Sequence, residues 1–126
     1  MVSDQEKLMS LLISCRTNIE LALQYTHGTH LFADVCEGVL SGTMQLWPGK
    51  KSCAVTEIIR YPRKKILHCF LAAGDMDEIL LMQKDAKEWG QAQGCEEMTI
   101  AGREGWKRVL SKYGWKHGMT TMSIEL

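Results

Sequence analysis

The stretch 66–106 limits the fold more than any other part of the chain. Residues 66–73 read ILHCFLAA, apolar at nearly every position and without alternation. A strand that shows apolar side chains to both sides suits the middle of a sheet covered on both faces. Gly74 breaks the run, and Asp75 opens a helix that continues to about Gly94. Asp75-x-x-Glu78 has the spacing of a capping box, and Gly94 stands where a helix C-cap belongs. Residues 98–101 form the next short apolar run. Strand, helix and strand at this spacing predict a right-handed βαβ crossover, with the two strands side by side and parallel. Gly102-Arg103-Glu104-Gly105-Trp106 then turns the chain into a helix that ends near Lys112, with Trp106, Val109, Leu110 and Tyr113 expected inward.

Upstream, Ser3-x-x-Glu6 predicts a helix start near Asp4, and Leu8, Leu12, Cys15, Ile19 and Ala22 recur at helical spacing. A second box, Thr17-x-x-Glu20, allows either one long helix or two shorter ones. A turn follows at Gly28, then a helix over 31–40 capped by Thr29, with Phe32, Val35, Cys36 and Val39 on its inner face. From Thr43 the period becomes two. Runs at 43–46, 53–61 and 66–73 are separated by the turns Pro48-Gly49-Lys50-Lys51 and Pro62-Arg63-Lys64-Lys65, an antiparallel meander. Residues 120–126 alternate Met122, Ile124 and Leu126 against Thr121, Ser123 and Glu125, the pattern of a last strand. The expected fold is α/β (α+β): a mixed, mostly antiparallel sheet with helices on both faces. It is read as a single domain over 1–126, helical over 1–41 and sheet with two crossover helices over 43–126.

A length of 126 residues suits one domain with its own core. The formal net charge of +0 argues against a general nucleic-acid binder. No apolar run reaches the ~20 residues that cross a membrane, and the polar start MVSDQEKL is not a secretory signal. The five cysteines, Cys15, Cys36, Cys53, Cys69 and Cys95, are widely spaced and lack a C-x-x-C pair, so they read as reduced core residues of a cytosolic-type protein.

The element order, with Gly94-Cys95-Glu96-Glu97-Met98-Thr99-Ile100, Gly102-Arg103-Glu104-Gly105-Trp106 and Tyr113-Gly114-Trp115, resembles the GNAT (Gcn5-related N-acetyltransferase) superfamily. Gln45-Leu46-Trp47 and Val55-Thr56-Glu57-Ile58 make it similar, more narrowly, to small GNAT-like proteins of tailed bacteriophages. The likeness covers about 32–126. In an active GNAT enzyme the strand matching 66–73 hydrogen-bonds the pantetheine arm of acetyl-CoA. The following loop, Q/R-x-x-G-x-G/A, wraps the pyrophosphate with free amides at a helix start. Here the loop is Ala72-Ala73-Gly74-Asp75-Met76-Asp77-Glu78. Only Gly74 could serve, and three carboxylates crowd the helix start. Active members also carry Asn-x-x-Ala-x-x-x-Tyr, with the tyrosine as general acid; this chain has Arg103, Trp106 and Leu110 at those places. Leucine has no proton to give.

The resemblance therefore implies a GNAT-like protein with a degenerate acetyl-CoA site and no cofactor. It would act in the host cytoplasm or virion by binding phage virion or other proteins, with no membrane or specific nucleic-acid partner. The alternative is an active N-acetyltransferase that holds acetyl-CoA around Leu71, Ala73 and Gly74. Glu57 and His68 are polar residues in strands that otherwise look buried. Either could deprotonate an amine, or be a satisfied polar residue of the sheet. Arg103 and Trp106 read as a binding surface for a carboxylate, phosphate or protein, or as a core indole and its neighbour. His27 and His30 lack further metal ligands at suitable spacing, so no metal is expected. Lys50, Lys51, Arg63, Lys64 and Lys65 form a basic patch if their two turns share one end of the sheet. The strand pattern at 120–126 allows pairing between copies, a homo-oligomer.

Overall fold

The structure is a computed structural model. It describes residues 3–102 and 104–126, with Glu104 by its backbone alone. The order is α1 (Asp4–Ser14), α2 (Arg16–Leu23), α3 (Phe32–Ser41), β1 (Met44–Pro48), β2 (Cys53–Arg60), β3 (Lys65–Ala73), α4 (Met76–Ala92), β4 (Glu97–Ile100) and α5 (Glu104–Ser111). The first helical stretch is two helices broken at Cys15, whose N–H bonds back to Leu11 and Leu12 and whose carbonyl accepts from Ile19. Thr17 does not cap the second one; α2 starts at Arg16 without a side-chain cap. Likewise α3 is closed by Asp34, whose carboxylate accepts the Leu31 N–H at 2.8 Å, while Thr29 pairs with His30 instead.

The sheet order is β1-β2-β3-β4, antiparallel for the first three strands and parallel for β3 with β4. This is the expected mixed α/β architecture. A register shift between Val55 and Thr56 leaves Phe70 as an extra residue on β3. One face of the sheet carries Cys53, Val55 and Leu71 and packs on Leu12, Cys15 and Ile19 of the first two helices and Val35, Cys36 and Val39 of α3. The other face carries Ala72 and Ile100 and meets Ile79 of α4 and Trp106 and Leu110 of α5. The cysteines are free thiols, four of them buried. Burial and the adjacent Cys15 push the Cys53 thiol up to about 12, and burial alone does the same to Cys69. Neither is a thiolate at neutral pH.

The last expected strand is absent. Residues 115–126 follow the turn after α5 with no regular secondary structure and no strand partner among the described residues, and Met122 and Ile124 are 90% and 87% exposed. The alternating pattern is present, but none of the described residues covers its apolar side. Tyr113, expected inward, is exposed. No helix among the described residues is long and apolar enough to cross a membrane.

Candidate functional site

The parallel pair β3–β4 stays together only from Ile66↔Glu97 to Cys69↔Ile100, closed by the bond from Ala101 N–H to Cys69 O at 3.2 Å. Beyond it β3 runs on to Ala73 paired with β2 but not with β4, so the two strands part there. A row of polar residues crosses the sheet just before the parting. Glu57 stands opposite His68 in the β2–β3 register, and His68 stands opposite Thr99 in the β3–β4 register. Residues that pair across neighbouring strands share one face, here the face of the first three helices. His68 Nδ1 and Thr99 Oγ1 are 2.8 Å apart. Burial pulls the His68 pKa down, and the Glu57 charge opposes that shift. The imidazole is therefore neutral at neutral pH, with a carboxylate beside it. Both residues singled out in the sequence thus fall on one patch, and Thr99 joins them.

The β3-to-α4 connection is only Gly74 and Asp75. Asp75 caps α4 through the Asp77 N–H at 3.0 Å, but Glu78 does not return the bond that a full capping box requires. Its carboxylate instead crosses to the β1–β2 turn. Glu78 Oε1 accepts the Lys51 N–H at 3.0 Å and the hydroxyl of buried Ser52. The Ser52 hydroxyl and the Lys51 amide hold the Glu78 carboxyl below its usual range. Two glycines make the approach possible. A Cβ on Gly49 would overlap the Glu78 carboxylate. A Cβ on Gly74, at φ +114°, would overlap the Lys51 carbonyl and the Ser52 backbone. From the opposite face, Asn18 of α2 donates to the Lys51 carbonyl at 3.4 Å. The turn is clamped between helices of both layers.

The remaining candidates separate. Trp106 is 9% exposed and packs with Ile79 and Leu110, against Gly102, so little of its indole is open to a partner. Arg103 lies outside the described residues. Leu71 is buried in the first core, while Ala73 and Gly74 lie past the end of the β3–β4 pairing. Lys50 and Lys51 stand at one end of β2, and Arg63, Lys64 and Lys65 at the other, so the basic turns do not make one patch. Lys64 pairs with Glu97 at 2.9 Å, and Lys65 bonds the Gln93 carbonyl. His30 bonds Thr29 and lies against the Phe70 ring. Among the described residues no three His, Cys, Asp or Glu side chains gather as metal ligands would. Two groups went unread in the sequence: the Glu78–Ser52 junction, and Thr56, which donates to Gln45 and accepts from Trp47 Nε1, both at 2.9 Å.

Solved structures share this architecture. An aminoglycoside N-acetyltransferase, AAC(6')-Iy in complex with CoA, superposes with a TM-score of 0.69 at 14% identity, over 94% of this chain and 90% of that one. An acetyltransferase of Trypanosoma brucei gives 0.64 at 16% identity, over 100% and 97%. A predicted acetyltransferase of Clostridium acetobutylicum, with acetyl-CoA, gives 0.63 at 12% identity, over 98% and 92%. The fold is that of the GNAT acetyltransferases. At these identities the likeness is one of fold. The sequence matches no protein-family model and no curated protein.

In an active GNAT enzyme the strands matching β3 and β4 part around the cofactor, and the connection matching β3–α4 wraps its pyrophosphate. The residues present do not fit that group. The amide and hydroxyl that face the space beside the helix start are already bonded to Glu78. The room beside Gly74 is filled by the chain's own Lys51 and Ser52. Asp75, Asp77 and Glu78 would face a diphosphate with like charge. The place of the acid tyrosine is Leu110, buried between Ile79 and Trp106.

Proposed function

We propose that this chain is a GNAT-fold protein that works by binding other proteins and does not use acetyl-CoA. One observation carries the reading: the helix start that would receive a diphosphate is bonded through Glu78 to the β1–β2 turn. The resemblance to small GNAT-like proteins of tailed bacteriophages gives the expected setting, a virion or the cytoplasm of an infected host. The test is a thermal-shift titration with CoA and acetyl-CoA. A ligand at 100 times its Kd stabilises by about 2.7 kcal/mol. The expected result is a flat melting temperature, with the tagged chain recovered in purified particles. A concentration-dependent rise overturns the proposal.

The Glu57–His68–Thr99 row supports a second reading, an active N-acetyltransferase that holds acetyl-CoA by other contacts. A neutral His68 can take a proton from an acceptor amine, and Glu57 can stabilise the imidazolium that forms. Acetylation of a small amine panel that vanishes in His68→Ala supports it. No turnover with any amine rules it out.

A further inference from the structure

The helices α4 and α5 run side by side in the same direction. Each follows one of the two parallel strands, β3 and β4, and both pack on one sheet face through Ile79, Trp106 and Leu110. They also lie level with each other: Ile79 meets Leu110, and the Trp115 indole N–H reaches Gln83 at 3.0 Å. Their outward sides carry opposite charge. On α5, Trp106 and Leu110 are buried, while Lys107 and Arg108 are exposed, as are Lys112 and Lys116 just beyond it. On α4, Ile79 and Ala86 are buried, while Asp77, Asp85 and Glu88 are exposed. Residues 75–92 hold the acids Asp75, Asp77, Glu78, Asp85 and Glu88 against Lys84 and Lys87, a formal −3. Residues 104–117 hold Lys107, Arg108, Lys112 and Lys116 against Glu104, a formal +3. None of the exposed charges on the two helices forms an ion pair among the described residues. Leu81, 75% exposed, stands one turn from both Asp77 and Asp85. The whole chain is neutral, so this face offers separated charge and no excess of either sign.

We propose that this face binds the same face of a second copy of this chain, with α4 of each copy against α5 of the other. Charge selects the symmetry. A two-fold axis across the helices would set α4 on α4 and α5 on α5, like charge on like. An axis parallel to the helices and between them sets each helix on its complement and keeps every residue at its own height. Residues that are level within one copy then meet across the interface. Asp77 of one copy stands against Lys107 and Arg108 of the other, and Asp85 against Lys112 and Lys116. Leu81 is covered by the aliphatic stems of the opposing cations. The contact occurs twice and uses one face of each copy, so the assembly closes at two. The inference does not rest on either reading of the cofactor site.

The experiment is sedimentation of the full chain over a concentration series in about 0.1 M and about 1 M salt, between which the screening length falls from about 10 Å to about 3 Å. The expected result is a dimer at the lower salt whose Kd rises about tenfold or more at the higher. Two charge variants test the pairing itself. Asp77→Lys with Asp85→Lys and Glu88→Lys makes both helices basic. Lys107→Glu with Arg108→Glu and Lys112→Glu makes both acidic. Each variant alone should be monomeric, and an equal mixture should form a one-to-one dimer, because each helix again meets its opposite. The replaced side chains are exposed, so the monomer fold should survive, which circular dichroism verifies. Leu81→Arg, a single exposed change, is the second check: it sets a cation against the basic helix of the other copy and should weaken the dimer about tenfold or more. A parent chain that stays monomeric at both salts overturns the proposal. So does a dimer that is indifferent to salt or intact in either charge variant. So does a mixture of the two variants that stays monomeric.

Discussion

The two faces of the sheet are built differently. Leu12, Ile19, Val35, Cys53 and Val55 are fully buried on the side of the first three helices. On the side of α4 and α5 Leu67 is fully buried beside Gly90, but the cluster Ile79, Trp106 and Leu110 is still slightly exposed, and a small cavity remains beneath it. Polar contacts take a larger share there: Trp115 to Gln83, Trp47 to Thr56, and Glu78 to the β1–β2 turn. The first face holds the fold by close packing. The second is held at its helix start by directional bonds.

The contrast predicts unequal responses to the same truncation. Leu12→Ala should lower the unfolding free energy by about 3–4 kcal/mol, because a fully enclosed site relaxes little. Leu110→Ala, beside an existing cavity and near an open end, should lower it by about 2 kcal/mol. Urea denaturation of both variants checks the order, and equal losses would erase the distinction between the faces. Gly74→Ala probes the directional side. A side chain at φ +114° is strained, and its Cβ would strike the Lys51 carbonyl, so the loss should be about 3 kcal/mol. A near-neutral Gly74→Ala would mean that the turn is not held against the helix start.

The fold was legible because its signals are local. The unbroken apolar run of β3, the proline turns and the caps at Ser3 and Asp75 each act within a few residues. The site was legible only in part. Glu57 and His68 stood out as polar residues in apolar strands, and strand register alone brings them together. Glu78 did not stand out. Its sequence spacing matches a capping box, yet its partners are 26 and 27 residues away, and only the folded chain selects between the two. Residues 120–126 failed for the reverse reason: alternation states what a strand needs, not whether its own chain supplies it. Trp106 was ambiguous because a core indole and a surface anchor read alike.

The Glu78 junction has a pH signature of its own. Its carboxyl sits below the usual range in the folded state, so its contribution is present above the ordinary carboxylate pKa and fades as pH falls through the lowered value. Glu78→Gln removes the charge and keeps the shape. The expected outcome is a lower melting temperature than the parent at neutral pH, with the two curves converging in strong acid. Parallel curves at every pH would show that the charge of Glu78 is not what fastens the turn.

The smallest effect belongs to His68. Its pKa lies below the ordinary imidazole value, so the folded state binds fewer protons than the unfolded one just under that value. Stability is then full above the ordinary imidazole pKa and declines as pH falls toward the lowered one. This is opposite to a histidine held by a dominant ion pair. Because the Glu57 charge works against burial, Glu57→Gln should depress the His68 pKa further, so that the decline starts at the same pH but extends lower and deepens. An NMR titration of the His68 ring reads both quantities directly. A rise in the His68 pKa on removing Glu57 would show that the two residues, though opposite in register, do not interact through charge. The case for a proton-transfer site on that face would then lose its second member.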